Sequence, residues 1–187
     1  MNCSKRRCRT RLRLLSAAGS AAVILGVLPA TGPFPARGEE IHDAIRNEDL
    51  DRVRTLLATD AARHANARAR GGSTPLHWAA SYSQDAAAKA LIEAGADVGA
   101  TTDQGSTPLH WAANKNAEGV ARLLVAKGAD VNARTSKGYT PLHWAAIGNA
   151  APVAKFLIEN GAEIDARKPD GATALHLAVV KNAIETI

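Results

Sequence analysis

Four histidines, His77, His110, His143 and His176, stand at intervals of 33 residues. Three are followed at once by tryptophan, Trp78, Trp111 and Trp144, and the fourth by Leu177. Imidazoles can ligate a metal or move protons near neutral pH, and repeated indoles can offer stacking faces to bases or sugars. Geometry weighs against a shared metal. Packed helices lie about 8–10 Å apart, whereas two imidazoles on one zinc need nitrogens within about 3.5 Å of each other. No second His, Cys or carboxylate stands three or four residues from any of the four. Each histidine is therefore expected to hydrogen-bond within its own turn and to a neighbouring loop. The tryptophans are expected to fill space between units with an indole edge partly exposed. A histidine-based metal-binding protein is kept as an alternative.

Other chemistry finds little footing. Both cysteines, Cys3 and Cys8, lie at the extreme N-terminus, so the rest of the chain has neither a thiolate nucleophile nor a disulfide framework. Asp97 and Asp130 sit in GADVGA and GADVNA, and Asp165 in GAEIDA, as turn formers. The glycines punctuate loops rather than forming a phosphate-binding motif. No catalytic residue, metal ligand or cofactor is expected, and the protein reads as a non-enzyme.

The histidines belong to a larger recurring unit. GSTPLHWAA occurs at residues 72–80 and again at 105–113, with GYTPLHWAA at 138–146 and GATALHLAV at 171–179. Threonine is a good N-cap, and proline at the first helical position gives up an N–H that has no partner there. Leu76, Ala79 and Ala80 form an apolar face at helical spacing. Ser83, Asn116 and Asn149 follow where a left-handed residue is needed. A second helix should bury the pairs Leu91-Ile92, Leu123-Leu124 and Leu157-Ile158, and end at Gly95, Gly128 and Gly161. The polar stretch before the next TPLH should project as a hairpin. One such unit cannot bury its own helices, but stacked units can.

In period, in TPLH and in the trailing GADVNA, these units resemble ankyrin repeats. The resemblance covers residues 39–187. It implies an all-α solenoid of stacked helix-loop-helix units with hairpin loops, binding other proteins through hairpin tips and the concave helix face. The expected division is an N-terminal cap repeat at 39–68, full repeats at 69–101, 102–134 and 135–167, and a partial repeat at 168–187. His42 takes the histidine position in the first unit, which is rich in charge. The last unit ends before its Leu pair, with Val179, Val180, Ile184 and Ile187 apolar. From about Lys168 onward it is expected to be the least stable part.

Positions that differ between copies are the candidates for recognition. In the hairpins these are Arg68, Arg70, Thr101, Asp103, Gln104, Arg134, Lys137, Tyr139, Arg167, Lys168 and Asp170. At the exposed end of the first helices they are Tyr82, Asn114, Lys115, Ile147 and Lys181. Arg68, Arg70, Tyr82, Gln104, Lys115, Arg134, Lys137, Tyr139 and Arg167 are taken as the partner-binding set. Arg68, Arg134 and Arg167 recur at or near the repeat period and should line one edge as a basic stripe that suits an acidic protein surface.

The net charge of +5 does not point to nucleic acid. Lys5, Arg6, Arg7, Arg9, Arg11, Arg13 and Arg37 all precede Glu39, and no acidic residue does, so residues 39–187 carry a net charge of −2. A phosphate-tracking surface would need its basic excess in the folded part. Residues 1–38 read instead as an export signal: a basic start, an apolar run at residues 14–28, then Pro29, Gly32, Pro33 and Pro35. Ala36-Arg37-Gly38 offers a cleavage site before Glu39, with a cut after Ala30 as its rival. An uncleaved anchor, the only route to membrane contact, and an organelle transit peptide stay open. The pair Arg6-Arg7 is followed by Cys8 and Arg9, not by the apolar residue of a twin-arginine signal.

The expected protein is an exported ankyrin-repeat adaptor, periplasmic or secreted; a secreted effector acting on another cell's proteins is the alternative. The mature chain should begin between residues 31 and 39. N-terminal sequencing of the native protein checks this, and recovery of Met1 or residue 2 would contradict it.

Overall fold

The computed structural model describes residues 39–181. The expected export signal and Ile184 and Ile187 lie outside the described residues. Within them the chain forms helices joined by turns, with no strand among the described residues.

The order is α1 (Glu40–Arg46), α2 (Leu50–Thr59), α3 (Ala61–Ala65), a 3-10 turn (Arg70–Gly72), α4 (Pro75–Ser81), α5 (Asp85–Glu93), α6 (Pro108–Asn114), α7 (Glu118–Ala126), α8 (Pro141–Ile147), α9 (Ala151–Glu159) and α10 (Ala174–Val180). The first helices of successive units, α1, α4, α6, α8 and α10, pack in series, and α2, α5, α7 and α9 form the second row behind them. This is the helical solenoid expected.

Each TPLH starts its helix as the residue types dictate. Thr74, Thr107 and Thr140 are N-caps in extended conformation, with proline next. After seven helical residues the chain must turn back. Ser83, Asn116 and Asn149 adopt φ of 55°, 54° and 51°, the left-handed region that asparagine tolerates. Glu48 does the same in the first unit at φ 57°. Its residue type gives no hint of this, but the turn it closes, Asp49 N–H to the Ala44 carbonyl, is the same one that Gln84, Ala117 and Ala150 close later.

The core is a stack of identical layers. Leu76, Leu109 and Leu142 on the first helices, and Leu91, Leu124 and Leu157 on the second, are buried in every full repeat. Ala79, Ala80, Ala112, Ala113, Ala145 and Ala146 lie between them fully buried, and their small size lets neighbouring helices approach closely. The expected Leu pairs are buried by halves: Ile92, Leu123 and Ile158 are only partly covered. A nine-residue helix packed on one side turns one member of each adjacent pair toward its edge. In the first unit, two extra residues are absorbed by the short helix α3, capped by Asp60. At the other end Leu175, Val179 and Val180 are exposed, whereas the equivalent Leu76, Leu109 and Leu142 are covered by the next unit.

The histidines join the layers. His77 Nδ1 accepts from the Thr74 backbone N–H at 3.1 Å and lies 2.9 Å from Thr74 Oγ1. A nitrogen facing an N–H donor must be the unprotonated one, so the proton sits on Nε2. That nitrogen donates to the Ser106 carbonyl of the next unit at 2.9 Å. His110 repeats this with Thr107 and the Tyr139 carbonyl, and His143 with Thr140 and the Ala172 carbonyl. Each ring also meets an aromatic edge: Trp78 on His42, Trp111 on His77 and Trp144 on His110, with centroids 5.5–5.7 Å apart and steep interplanar angles.

Burial penalises the charged imidazole, and His77 and His110 are each pushed from 6.5 to about 4. His143 is lowered for the same reason. Below pH 6.5 the unfolded chain binds protons at these sites that the folded chain does not. The stability they contribute is therefore complete above pH 6.5 and is lost as pH falls toward 4, by about 3 kcal/mol for each of His77 and His110. The urea midpoint should drop steeply across that window. Replacing His110 with alanine should cost about 2–4 kcal/mol at pH 7.5, through lost bonds and a cavity, and should flatten the acid limb. A pH-independent midpoint would contradict the buried neutral tautomer.

Candidate functional site

The hairpins between units are built from a repeated tight turn. Thr102 N–H donates to the Ser106 carbonyl and Gly105 N–H to the Thr102 carbonyl; residues 135–139 and 168–172 repeat the pattern. Gly105 has φ +74°, and a Cβ there would lie 3.0 Å from the Ser136 backbone nitrogen of the next hairpin, so a side chain is excluded. Adjacent hairpins are laced by Asp103 N–H to the Gly71 carbonyl and Ser136 N–H to the Gln104 carbonyl.

The third link in this series is missing. Pro169 stands where Asp103 and Ser136 stand, and proline has no N–H. The Lys137 carbonyl, which takes the place of the Gly71 and Gln104 carbonyls, thus receives no hydrogen bond among the described residues. A side-chain latch joins the hairpins instead. Lys168 Nζ donates to Asp170 Oδ2 at 2.9 Å and to Tyr139 Oη at 3.3 Å, and lies 4.5 Å from the Tyr139 ring centroid. The bonds to Asp170 and Tyr139 hold the Lys168 ammonium above its ordinary value, and the bond to Lys168 holds Asp170 below its own. Lys168 was expected to be a free hairpin residue; at 9 % exposure it is part of the scaffold.

The arginines of the expected stripe are exposed and engaged by the hairpins. Arg68 donates to the Gly72 carbonyl and to the Thr101 carbonyl 33 residues on. Arg134 donates to the Arg167 carbonyl, again 33 residues on, and lies 3.6 Å from Glu163. Arg167 donates to the Gly171 carbonyl. All three guanidinium groups are exposed yet engaged: Arg68 and Arg134 tie adjacent hairpins together, and Arg167 braces its own. Asn66 and Asn132 add a second tie that sequence reasoning missed. Each donates to the glycine carbonyl that ends the next unit's second helix, at Gly95 and Gly161, and accepts from Asp97 N–H and Glu163 N–H.

The remaining candidates gather elsewhere. Gln104, Lys137 and Tyr139 line a depression with Thr135, Trp144 and Ile147. Lys115 lines a neighbouring one with Ser81, Trp111, Asn114 and Trp144. Trp144 is shared by both. Tyr82, 43 % exposed, lies beside Trp78, and Arg46 lies over that indole. Arg70 is exposed in the 3-10 turn and lines neither depression. Lys115 and Lys137 form no ion pair among the described residues, and no carboxylate lines either depression.

The indoles are not equivalent. Trp78 Nε1 donates to Ser73 Oγ at 3.0 Å and Trp111 Nε1 to Ser106 Oγ at 3.2 Å. Tyr139 replaces the serine before Trp144, whose indole N–H finds no acceptor among the described residues. The exchange of Ser73 and Ser106 for Tyr139, five residues before the tryptophan, was the available signal.

The histidine ladder itself is occupied. Both ring nitrogens of His77, His110 and His143 face hydrogen-bond partners, and no group of three or more potential metal ligands occurs among the described residues. No helix among the described residues is long and apolar enough to cross a membrane.

Two family profiles match the chain: ankyrin repeats (3 copies) over residues 41–135, and ankyrin repeats (many copies) over residues 123–178. No curated protein matches it.

Alanine replacements should now separate. Tyr139→Ala removes the Lys168 latch and the ring edge beside His143, 6.0 Å away, and should cost about 1–3 kcal/mol. Arg134→Ala should cost up to about 1 kcal/mol. Lys137→Ala should leave the melting temperature nearly unchanged. Thermal denaturation of the three single variants checks this order.

Proposed function

Because the chain belongs to the ankyrin-repeat family, a family of protein-binding modules, we propose that it is a non-catalytic adaptor that binds a protein partner through the surface carrying the two depressions around Trp144. The observation that supports this is the pairing of half-buried indoles with two lysines, Lys115 and Lys137, that form no ion pair among the described residues, Asp170 beside Lys137 being paired with Lys168. Desolvated aromatic floors with charged rims are what binding hot spots are made of. The lysines favour an acidic partner surface and speed its encounter. Gln104 and Tyr139 line one of the depressions, while Arg68, Arg134 and Arg167 hold the hairpins; Tyr82, beside Trp78, and Arg70 remain candidate contacts outside both depressions.

The leader supports an exported adaptor, working in the periplasm or outside the cell. Its acid-free basic start, apolar run and proline-glycine exit are the features of a secretory signal. A partner reached there meets a domain without cysteine, indifferent to an oxidising compartment.

A photo-reactive amino acid placed at Lys115 or Lys137 should cross-link a protein from the native extract. The same probe at Lys155, exposed on α9 and lining neither depression, should not. The double variant K115E/K137E should retain its melting temperature and weaken capture of the cross-linked partner at least about tenfold. Cross-links only from Lys155, or capture unaffected by charge reversal, would overturn the reading.

A further inference from the structure

The repeat pattern leaves one indole N–H without a protein acceptor among the described residues. Trp144 Nε1–H has no acceptor among the described residues, because Tyr139 stands where Ser73 and Ser106 serve Trp78 and Trp111. Trp144 belongs to both depressions, each about 200 Å³. On one side of it stands Lys137, on the other Lys115, and neither has a carboxylate partner among the described residues. Trp111, Trp144 and Ile147 supply the apolar part of the lining, beside polar residues including Ser81, Asn114 and Gln104. The acidic residues nearby are accounted for. Asp170 is bound to Lys168, and Asp103 lines neither depression.

We propose that this surface recognises an extended acidic segment of the partner, with a carboxylate accepting from the Trp144 indole N–H beside Lys137 and an adjacent apolar side chain seated against Trp111 and Trp144 near Lys115. The proposal rests on the adaptor reading above and specifies the chemistry of its partner. A carboxylate fits where a neutral acceptor would not suffice. The donors offered are one fixed N–H and two ammonium groups, and charge-assisted bonds of this kind are the strong ones. The apolar part of the lining then selects a side chain rather than a free anion. Tyr139 has two effects here: it removes the serine that would have quenched the indole N–H, and its own ring is held by Lys168.

The chain contains three tryptophans, so the ¹⁵N-labelled full-length protein should give three indole N–H signals, assignable by single Trp→Phe variants. A terminally blocked peptide of alternating Asp and Leu should shift the Trp144 signal most. It should leave Trp78 nearly in place and move Trp111, which touches the apolar side chain but whose N–H is already bonded, less than Trp144. W144F keeps an aromatic ring beside His110 but loses the donor and part of the indole; it should weaken the peptide about five- to tenfold, with a small drop in melting temperature that leaves the protein folded. Y139S restores the serine and should also weaken binding, with the Trp144 signal moving toward that of Trp111 in the free protein. K137Q should reduce both affinity and its salt dependence.

Equal binding of the Asn-Leu or Lys-Leu counterpart would overturn the acidic chemistry while leaving the adaptor reading intact. An equal shift from acetate alone would make this an anion site and not a peptide site, and tighter binding of an oligothymidylate would make it a nucleic-acid site; either sinks the proposal. If no peptide moves any indole while Lys115 and Lys137 still cross-link a protein, this inference falls alone. If those cross-links are also absent, the adaptor reading falls with it.

Discussion

A neutral, buried imidazole that accepts at one end and donates at the other is the interaction on which the stack depends. Nδ1 completes the start of its own helix, and Nε2 reaches the carbonyl that closes the next hairpin. One side chain therefore fixes both the local cap and the distance between units. Protonation breaks the first of these bonds, because a proton on Nδ1 would face the threonine N–H, while the Nε2–H donor is kept. The aromatic edge packed on each ring completes its exclusion from water, and this burial lowers the affinity of the imidazole for a proton. Hydrophobic layers of Leu and Ala supply most of the stabilising area, but they are nondirectional. The histidine bonds are what hold the register.

The other inter-unit ties follow the same logic. Arg68, Arg134, Asn66 and Asn132 each cross to the next unit and satisfy backbone groups that a lone repeat would leave to water. Repetition makes this economical in design: one residue type in one position solves the same problem each time. Exposure does not by itself mark a side chain as free for a partner. The loop arginines are exposed and engaged, whereas Lys115 and Lys137 are exposed and unengaged.

Function is best sought where the repetition breaks. Tyr139 in place of serine releases the Trp144 indole N–H. Pro169 in place of a residue with an N–H releases the Lys137 carbonyl, and Lys168 in place of Thr102 and Thr135 repairs the gap with a side-chain latch. All of these departures meet at the third and fourth hairpins. The Trp144 N–H and the Lys115 and Lys137 ammonium groups have no partner among the described residues, so they are available to an external one.

The sequence by itself determined the unit. Period, Thr cap, first-turn proline, left-handed Asn and terminal Gly act through contacts within a few residues, so their structural meaning travels with the local motif. The histidines' scaffold role was legible for the same reason, since Thr and His three apart must meet at a helix start. Only the tertiary structure decided which hairpin side chains are occupied. Arg134 looks like a surface charge until the Arg167 carbonyl is brought to it, and Lys168 looks free until Tyr139 and Asp170 enclose it. Those partners lie as far as 29 to 33 residues away along the chain, so whether a donor remains available depends on what the next unit places against it.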